Sequence, residues 1–346
     1  ISFESMEEVL NKLKEKSEPE FRKSYAMWEK CSSIGIDPVS IFKDATVFTP
    51  AKASSEPEAK RYSYGLQDLL SRGINAFLSL FEREDINDQF ESLALSIQEE
   101  FGGRNISFYG LIEELKNRLS KTKNQTIMVG GIPHFESTIK KMLTRLNKIV
   151  YSARAIEVHN PRGNPIKIED LRPGELWIID INVLPEHEQR MVFFSILSDL
   201  KLFLENRKMG SERVVRGGEI VDISRFPKRV GVFVDELNKF APKGGSSGSA
   251  IKQFIVDIAA RGRSIGLSLV GAEQFASQID EEVLGNASTY LIGKSEVFEI
   301  SSSFYRRLPE GLKKRIPFLK KGELVLVHEI HNTPIVIHFP IPIHRI

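Results

Sequence analysis

Apolar and polar positions alternate along this chain in two regimes. Over the first part they recur at helical spacing, and over the second part short apolar runs alternate with helices. Helical spacing is clearest in Met6 to Lys16, Leu66 to Phe81, Asp88 to Phe101, Phe108 to Leu119 and Phe135 to Tyr151. In the last of these Phe135, Ile139, Met142, Leu143, Leu146 and Val150 share one face, the stripe a helix needs to bury against a core. Ala53-Ser-Ser-Glu-Pro-Glu reads as a polar connection, and Asn160-Pro-Arg-Gly-Asn-Pro and Asp170-Leu-Arg-Pro-Gly-Glu read as turns. The predicted organisation is therefore a leading segment over 1–52, a helical block over 53–160 and a strand-rich part over 161–346. No internal repeat is visible.

In the last part, Leu176-Trp-Ile-Ile-Asp-Ile-Asn-Val-Leu predicts a strand, and Phe193, Ile196, Leu197, Leu200 and Leu204 predict the helix after it. Val230 to Val234 is an apolar run that ends in two adjacent carboxylates, Asp235 and Glu236, as expected of a central strand buried on both faces. Ser249 to Arg263 then predicts an amphipathic crossover helix through Ile251, Phe254, Ile255, Ile258 and Ala259. Ile265 to Gly271 predicts a second strand, ending in Ala272-Glu273-Gln274, and Thr289 to Ile292 a third. Strand, helix, strand, turn, strand is a parallel-sheet unit. Two parallel neighbours would bring Glu236 and Gln274 to one sheet edge.

The carboxyl edge of an open α/β sheet is where ligands bind. In nucleoside triphosphatases the acid ending such a strand, the Walker B strand, orients Mg²⁺, and a second acid can polarise the attacking water. Gln274 would there sense the γ-phosphate or orient water. Asp180 also ends an apolar run, but Ile181 follows it in place of an acid. Arg261 and Arg263 close the crossover helix. They complement the helix macrodipole there, and the same position would let a guanidinium reach the nucleotide of a neighbouring subunit.

The order Val-Phe-Val-Asp-Glu-Leu-Asn-Lys-Phe-Ala-Pro, then Ile-Ala-Ala-Arg-Gly-Arg-Ser-Ile-Gly-Leu-Ser-Leu-Val-Gly-Ala-Glu-Gln, resembles the HerA branch of the HerA/FtsK ATPases. The likeness extends to Leu284-Gly-Asn-Ala-Ser-Thr-Tyr-Leu-Ile-Gly, Leu308-Pro-Glu-Gly-Leu, Leu319-Lys-Lys-Gly-Glu-Leu-Val-Leu-Val, the 176–204 segment and the stretch from Phe21 to Pro50. Between about Ala51 and Phe135 it is loose. The resemblance implies a RecA-like P-loop ATPase core of the α/β class, with a mainly parallel sheet and a helical insertion. It implies ATP and Mg²⁺ as cofactors, with Asp235 holding the metal through water, Glu236 as base, Gln274 as sensor and Arg263 or Arg261 as arginine finger. It further implies a homo-oligomeric ring, a hexamer, that moves along double-stranded DNA with a NurA-type nuclease partner in DNA end processing. Family members often read Arg-Glu-Gly-Arg where this chain has Ala260-Arg261-Gly262-Arg263, which leaves the finger open between the two arginines.

A HerA-like ATPase also needs Gly-x-x-x-x-Gly-Lys-Ser/Thr, whose backbone amides cradle the phosphates. The 346 residues contain no such motif: before Gly293-Lys294-Ser295 the first glycine's place is taken by Ser288. The expectation is that the loop lies upstream of Ile1 and that this chain is the carboxyl-terminal portion of a longer protein. Two alternatives stand beside it, a conjugation or secretion-type pumping ATPase of the same superfamily and an inactive scaffold that docks a nuclease.

Composition changes the picture little. A net charge of +2 gives no global signature of nucleic-acid binding, so any DNA contact must be local. Arg306, Arg307, Lys313, Lys314, Arg315, Lys320 and Lys321 form one basic cluster, and Lys239 and Lys243 flank the supple Gly244-Gly-Ser-Ser-Gly-Ser run. No apolar run reaches the roughly 18 residues of a membrane span, and a cytoplasmic setting is the default. One cysteine, Cys31, excludes an internal disulfide. His328, His331 and His338 show no ligand spacing and are expected to be structural.

Overall fold

A computed structural model describes residues 5–37, 39, 45–52, 58–81, 86–121, 125–244 and 250–342. Most of the 53–58 connection and residues 245–249 of the glycine-serine run lie outside the described residues. Helices form at Met6–Lys14, Asp88–Phe101, Phe108–Lys121 and Glu136–Ser152, close to their predicted limits. In the last, Ile139, Met142 and Leu146 are fully buried, as the stripe requires. The predicted helix over Leu66 to Phe81 is instead two short ones, Leu66–Leu70 and Ile74–Leu78. Gly73 between them has φ +96°, a conformation outside the right-handed helical region, so the helix cannot run through it.

Strands β1 (Ala45–Pro50) and β2 (Lys60–Tyr62) are parallel neighbours. Hairpin β3 (Thr126–Val129) and β4 (Ile132–Phe135) precedes the Glu136–Ser152 helix. The chain then returns through β5 (Leu176–Ile179), parallel to β1 on its other side. The Glu186–Lys208 helix follows, then hairpin β6 (Arg213–Arg216) and β7 (Glu219–Asp222). Next, β8 (Val230–Asp235) and β9 (Leu267–Ala272) pair in parallel, joined by the Ala250–Ile265 helix. Gly266, at φ +85°, turns the chain from helix to strand, and a Cβ there would stand 2.4 Å from the Lys228 carbonyl oxygen.

Two expectations fail. The third strand of the predicted parallel unit, β10 (Thr289–Ile292), pairs antiparallel with β11 (Glu323–His328), which pairs antiparallel with β12 (Ile335–His338). The connection from β9 contains only a 3₁₀ turn, Ala276–Gln278, and a six-residue helix, Glu281–Asn286, too short to carry the chain back along a strand as a parallel crossover would. β10 instead buries Ile292 in a separate apolar cluster with Tyr305, Leu308, Ile316, Leu319 and Val325. Nor is β8 buried on both faces. Val234 is buried, but Phe233, on the opposite face, is 78% exposed.

The main apolar cluster runs from Phe48 to Val283 and joins the helical block to the β8–β9 unit. At its centre lies a buried charge network. Asp199, 2% exposed, accepts from Arg72 Nε at 3.1 Å and Arg216 Nη1 at 2.9 Å, and Arg216 also meets Glu169 at 2.9 Å. It ties the Glu186–Lys208 helix to the turn after Leu66–Leu70 and to β6. Removing one partner of a buried pair strands the others without water. Asp199→Ala is therefore expected to cost about 3–5 kcal/mol in denaturant-induced unfolding. A loss within the roughly 0.5 kcal/mol typical of a surface change would refute that role.

Candidate nucleotide site at the end of β8

Six register pairs bring the ends of β8 and β9 together, from Val230↔Leu267 to Asp235↔Ala272. Asp235 and the Glu273-Gln274 pair thus leave the sheet at the same edge, although the crossover helix separates them in sequence. The Glu236 N–H donates to the Ala272 carbonyl at 3.0 Å and extends the ladder by one residue. There the chain breaks away. Glu236 adopts φ 56°, ψ 55°, the only non-glycine positive φ among the described residues. A left-handed residue costs roughly 1–2 kcal/mol, and such strain persists where neighbours over-determine it.

Those neighbours are visible. Leu237, buried at 5% exposure, opens a single 3₁₀ turn, Leu237–Lys239. It packs over Gly271, where a Cβ would come 2.6 Å from the leucine's Cδ2. Glu273 Oε1 accepts the Asn238 N–H at 2.5 Å, and Asn238 Nδ2 donates to Gln278 Oε1 at 2.9 Å. Glu273 therefore clamps the turn that follows Asp235 and Glu236. The register that places Gln274 at this edge places Glu273 there too, and no local pattern in the sequence marks Glu273 as the clamp.

Electrostatics follow from that crowding. Burial pushes the Glu273 carboxyl above its usual range, the Asn238 N–H opposes this, and repulsion from Glu236 and Asp235 adds to it. Asp235, Glu236 and Gln274 are exposed. Glu236 forms an ion pair with Lys239 one turn on, so this lysine, a candidate DNA contact by sequence, stands on the candidate base.

The two arginines stand elsewhere. Because Val230 pairs with Leu267, the Ala250–Ile265 helix ends at the amino edge of the sheet, a strand's length, about 20 Å, from Asp235. Neither arginine can serve the site of its own chain. Arg261 is paired with Asp257 on its own helix, and Asp257 also receives Lys201 Nζ at 2.6 Å. Arg263 is exposed and has no carboxylate partner among the described residues.

The remaining basic candidates lie around the β10–β12 sheet. Lys313 pairs with Glu310 at 2.7 Å on the Glu310–Arg315 helix that also bears Lys314. Arg306 and Arg307 sit on the Ser303–Arg307 turn, and Lys243 lies close to Arg307 across a shallow pocket. His338 stands 3.8 Å from Glu323 across the β11–β12 ladder, and the His328 ring accepts the Ile330 N–H at 3.0 Å.

No protein-family model matches the sequence, and no curated protein matches it. Solved structures do. The plasmid coupling protein TrwB, in complex with a non-hydrolysable ATP analogue, superposes with a TM-score of 0.51 at 15% identity, over 87% of this chain and 74% of TrwB. The fold is that of RecA-like P-loop ATPases. Unbound bacterial TrwB matches with a TM-score of 0.49 at 14% identity, over 87% and 75% of the two chains. The genome packaging NTPase B204 of Sulfolobus turreted icosahedral virus 2, with ATP-γ-S, matches with a TM-score of 0.34 at 11% identity, over 52% and 74%.

The donor set at this edge matches the needs of a Mg²⁺–triphosphate only in part. Mg²⁺ takes one or two carboxylates and fills its remaining positions with water and phosphate oxygens, and the exposed Asp235 is a carboxylate of the kind such a site uses. A triphosphate needs a cradle of backbone amides, and no phosphate-loop motif occurs in these residues.

Replacing Glu273 by Gln keeps the acceptor for Asn238 and removes the titration. The folded-state pKa of Glu273 lies above the unfolded one, so wild-type stability falls as pH rises through that window. Glu273→Gln is expected to match the wild type in thermal melting at acid pH and to surpass it increasingly towards neutrality. A gap independent of pH would refute the raised carboxyl.

Proposed function

We propose that this chain carries the Walker B side of the nucleotide site of an ATP-hydrolysing motor of HerA/FtsK type, which works as a ring on double-stranded DNA. The observation that supports it most directly is the carboxylate pair at the carboxyl end of β8, held in register beside Glu273-Gln274 with Glu236 in a strained left-handed turn. Asp235 would hold Mg²⁺, Glu236, released from Lys239, would accept the proton of the attacking water, and Gln274 would report on the γ-phosphate. Mg²⁺ bound to ATP supplies charge neutralisation at the phosphates. These residues carry no phosphate-loop motif, so on this reading they supply the acids and the sensor and not the phosphate cradle. The face of β8 and β9 that carries Phe233 and Val270, 78% and 46% exposed, is left bare, whereas parallel sheets are ordinarily covered on both faces.

The placement of Arg261 and Arg263 at the far edge of the sheet supports a ring, since there they are too far from the acids of their own chain and would have to act on a neighbouring subunit's nucleotide. Arg263, without a carboxylate partner among the described residues, is the better finger. A hexamer acting with a NurA-type nuclease in DNA end processing follows from the sequence resemblance. A second reading, a conjugative coupling motor, draws on the likeness to TrwB over 87% of the chain. No described helix is long and apolar enough to cross a membrane.

In the protein with its complete nucleotide site, Glu236→Gln is expected to lower kcat by at least about 100-fold, the scale of a lost general base, with ATP binding retained. Unchanged turnover would sink the assignment, and absence of ATP binding in the wild type would favour the scaffold. Mixing Arg263→Ala subunits with Asp235→Asn subunits separates action in trans from action in cis. Some hydrolysis should reappear in mixed rings, at sites where an intact carboxylate meets an intact neighbouring arginine.

A further inference from the structure

The pocket between the β9–β10 connection and the Ser303–Arg307 turn brings together two cations that are 64 residues apart by their numbers, Lys243 and Arg307. It has a volume of about 190 Å³, and Ser277, Ser303, Glu281 and Phe304 also line it. Arg307 is fixed in an unusual way for a surface cation. Its guanidinium lies over the Tyr290 ring at 4.5 Å from the centroid and beside the Phe304 ring at 5.2 Å, and its Nε–H donates to the Phe304 carbonyl at 3.4 Å. Two aromatic faces hold the charge without neutralising it, and no carboxylate pairs with it among the described residues. Tyr290 is itself anchored through its hydroxyl to the Leu284 carbonyl, which ties β10 to the helix bordering the pocket.

Across the pocket an anion is already in place. Glu281 Oε1 meets Lys243 Nζ at 2.9 Å and accepts from Ser303 Oγ at 3.5 Å. Lys243 holds the Glu281 carboxyl below the usual range, so it is ionised at neutral pH. Its side chain is 68% exposed and can swing into water at little cost. The floor is rigid by comparison. Buried Glu299, 2% exposed, accepts the Ser277 N–H at 2.9 Å and the Ser277 hydroxyl at 2.7 Å.

We propose that this pocket binds one phosphate group, which displaces Glu281 from Lys243 and Ser303 and is gripped from the other side by Arg307. With Glu281 swung out, the pocket presents two cations and one hydroxyl donor, a match for a phosphodiester of a nucleic-acid backbone. Guanidinium forks suit phosphate oxygens, and a lysine adds a point charge. The same chemistry serves a free phosphate. The proposal deepens the DNA-binding part of the preceding reading and rests on it only for the choice of ligand.

The test measures duplex DNA binding by fluorescence anisotropy, without nucleotide, across roughly 50 to 200 mM salt. Arg307→Ala is expected to weaken binding about tenfold and to reduce the salt slope by about 1. Glu281→Gln should do the opposite, tightening binding several-fold, because it removes the internal competitor. Since Arg307 also packs on two rings, its loss could disturb the local fold, and the exposed Glu281 carries the test independently. Inorganic phosphate is titrated in parallel and followed by the Arg307 Nε–H resonance. Phosphate binding with no effect of either variant on duplex affinity would assign the pocket to free phosphate. Neither duplex nor phosphate responding to Glu281→Gln would overturn the proposal. These are binding measurements, so their failure leaves the hydrolysis reading standing, and failure of the Glu236→Gln prediction leaves the pocket standing.

Discussion

β8 and β9 pair in parallel from Val230↔Leu267 to Asp235↔Ala272, and this register decides where each candidate group stands. A parallel pair needs a crossover that runs the full length of the strands, here the Ala250–Ile265 helix. The acids and Gln274 therefore share the carboxyl edge while Arg261 and Arg263 share the other. Gly266 and Gly271 make the close approach possible. The first turns the helix into β9 against the Lys228 carbonyl, and the second leaves room for Leu237, whose burial draws the chain out of the sheet immediately after Glu236.

The turn after β8 holds three carboxylates in a small volume. Asp235 and Glu236 remain exposed, whereas Glu273 is half-buried and shifted upward, with the Asn238 N–H as compensation. This division suits different tasks. An exposed acid at a sheet edge can meet a metal or water, and a half-buried acid bonded to backbone holds a strained turn in place. Lys239 on Glu236 adds a further setting, because the candidate base must give up its cation before it can take a proton.

The β10–β12 sheet shows the same economy of charge at a different site. Its apolar cluster is separate from the main core, and its basic residues divide into those already paired, such as Lys313 with Glu310, and those held by other means, such as Arg307 on two rings. A count of basic residues along the sequence treats them alike. Their partners do not.

Much of this protein was legible in its sequence because helices and strands obey local periodicity. The stripe from Ile139 to Leu146, the crossover helix and the apolar run into Asp235-Glu236 all form near their predicted limits. The helix break at Gly73 and the antiparallel pairing of β10 lie beyond local periodicity. The first needed a backbone angle, and the second needed the identity of a pairing strand that lies some 30 residues further along. By itself the sequence determined the long helices, the carboxylate pair at a strand end and the absence of a phosphate-loop motif from these residues. Only the tertiary structure decided that Glu273 clamps the turn, that the arginines face away from the acids, and that Lys243 and Arg307 share a pocket. Each of these depends on register and on which faces meet, and such contacts are set by non-local packing that periodicity along the chain does not encode.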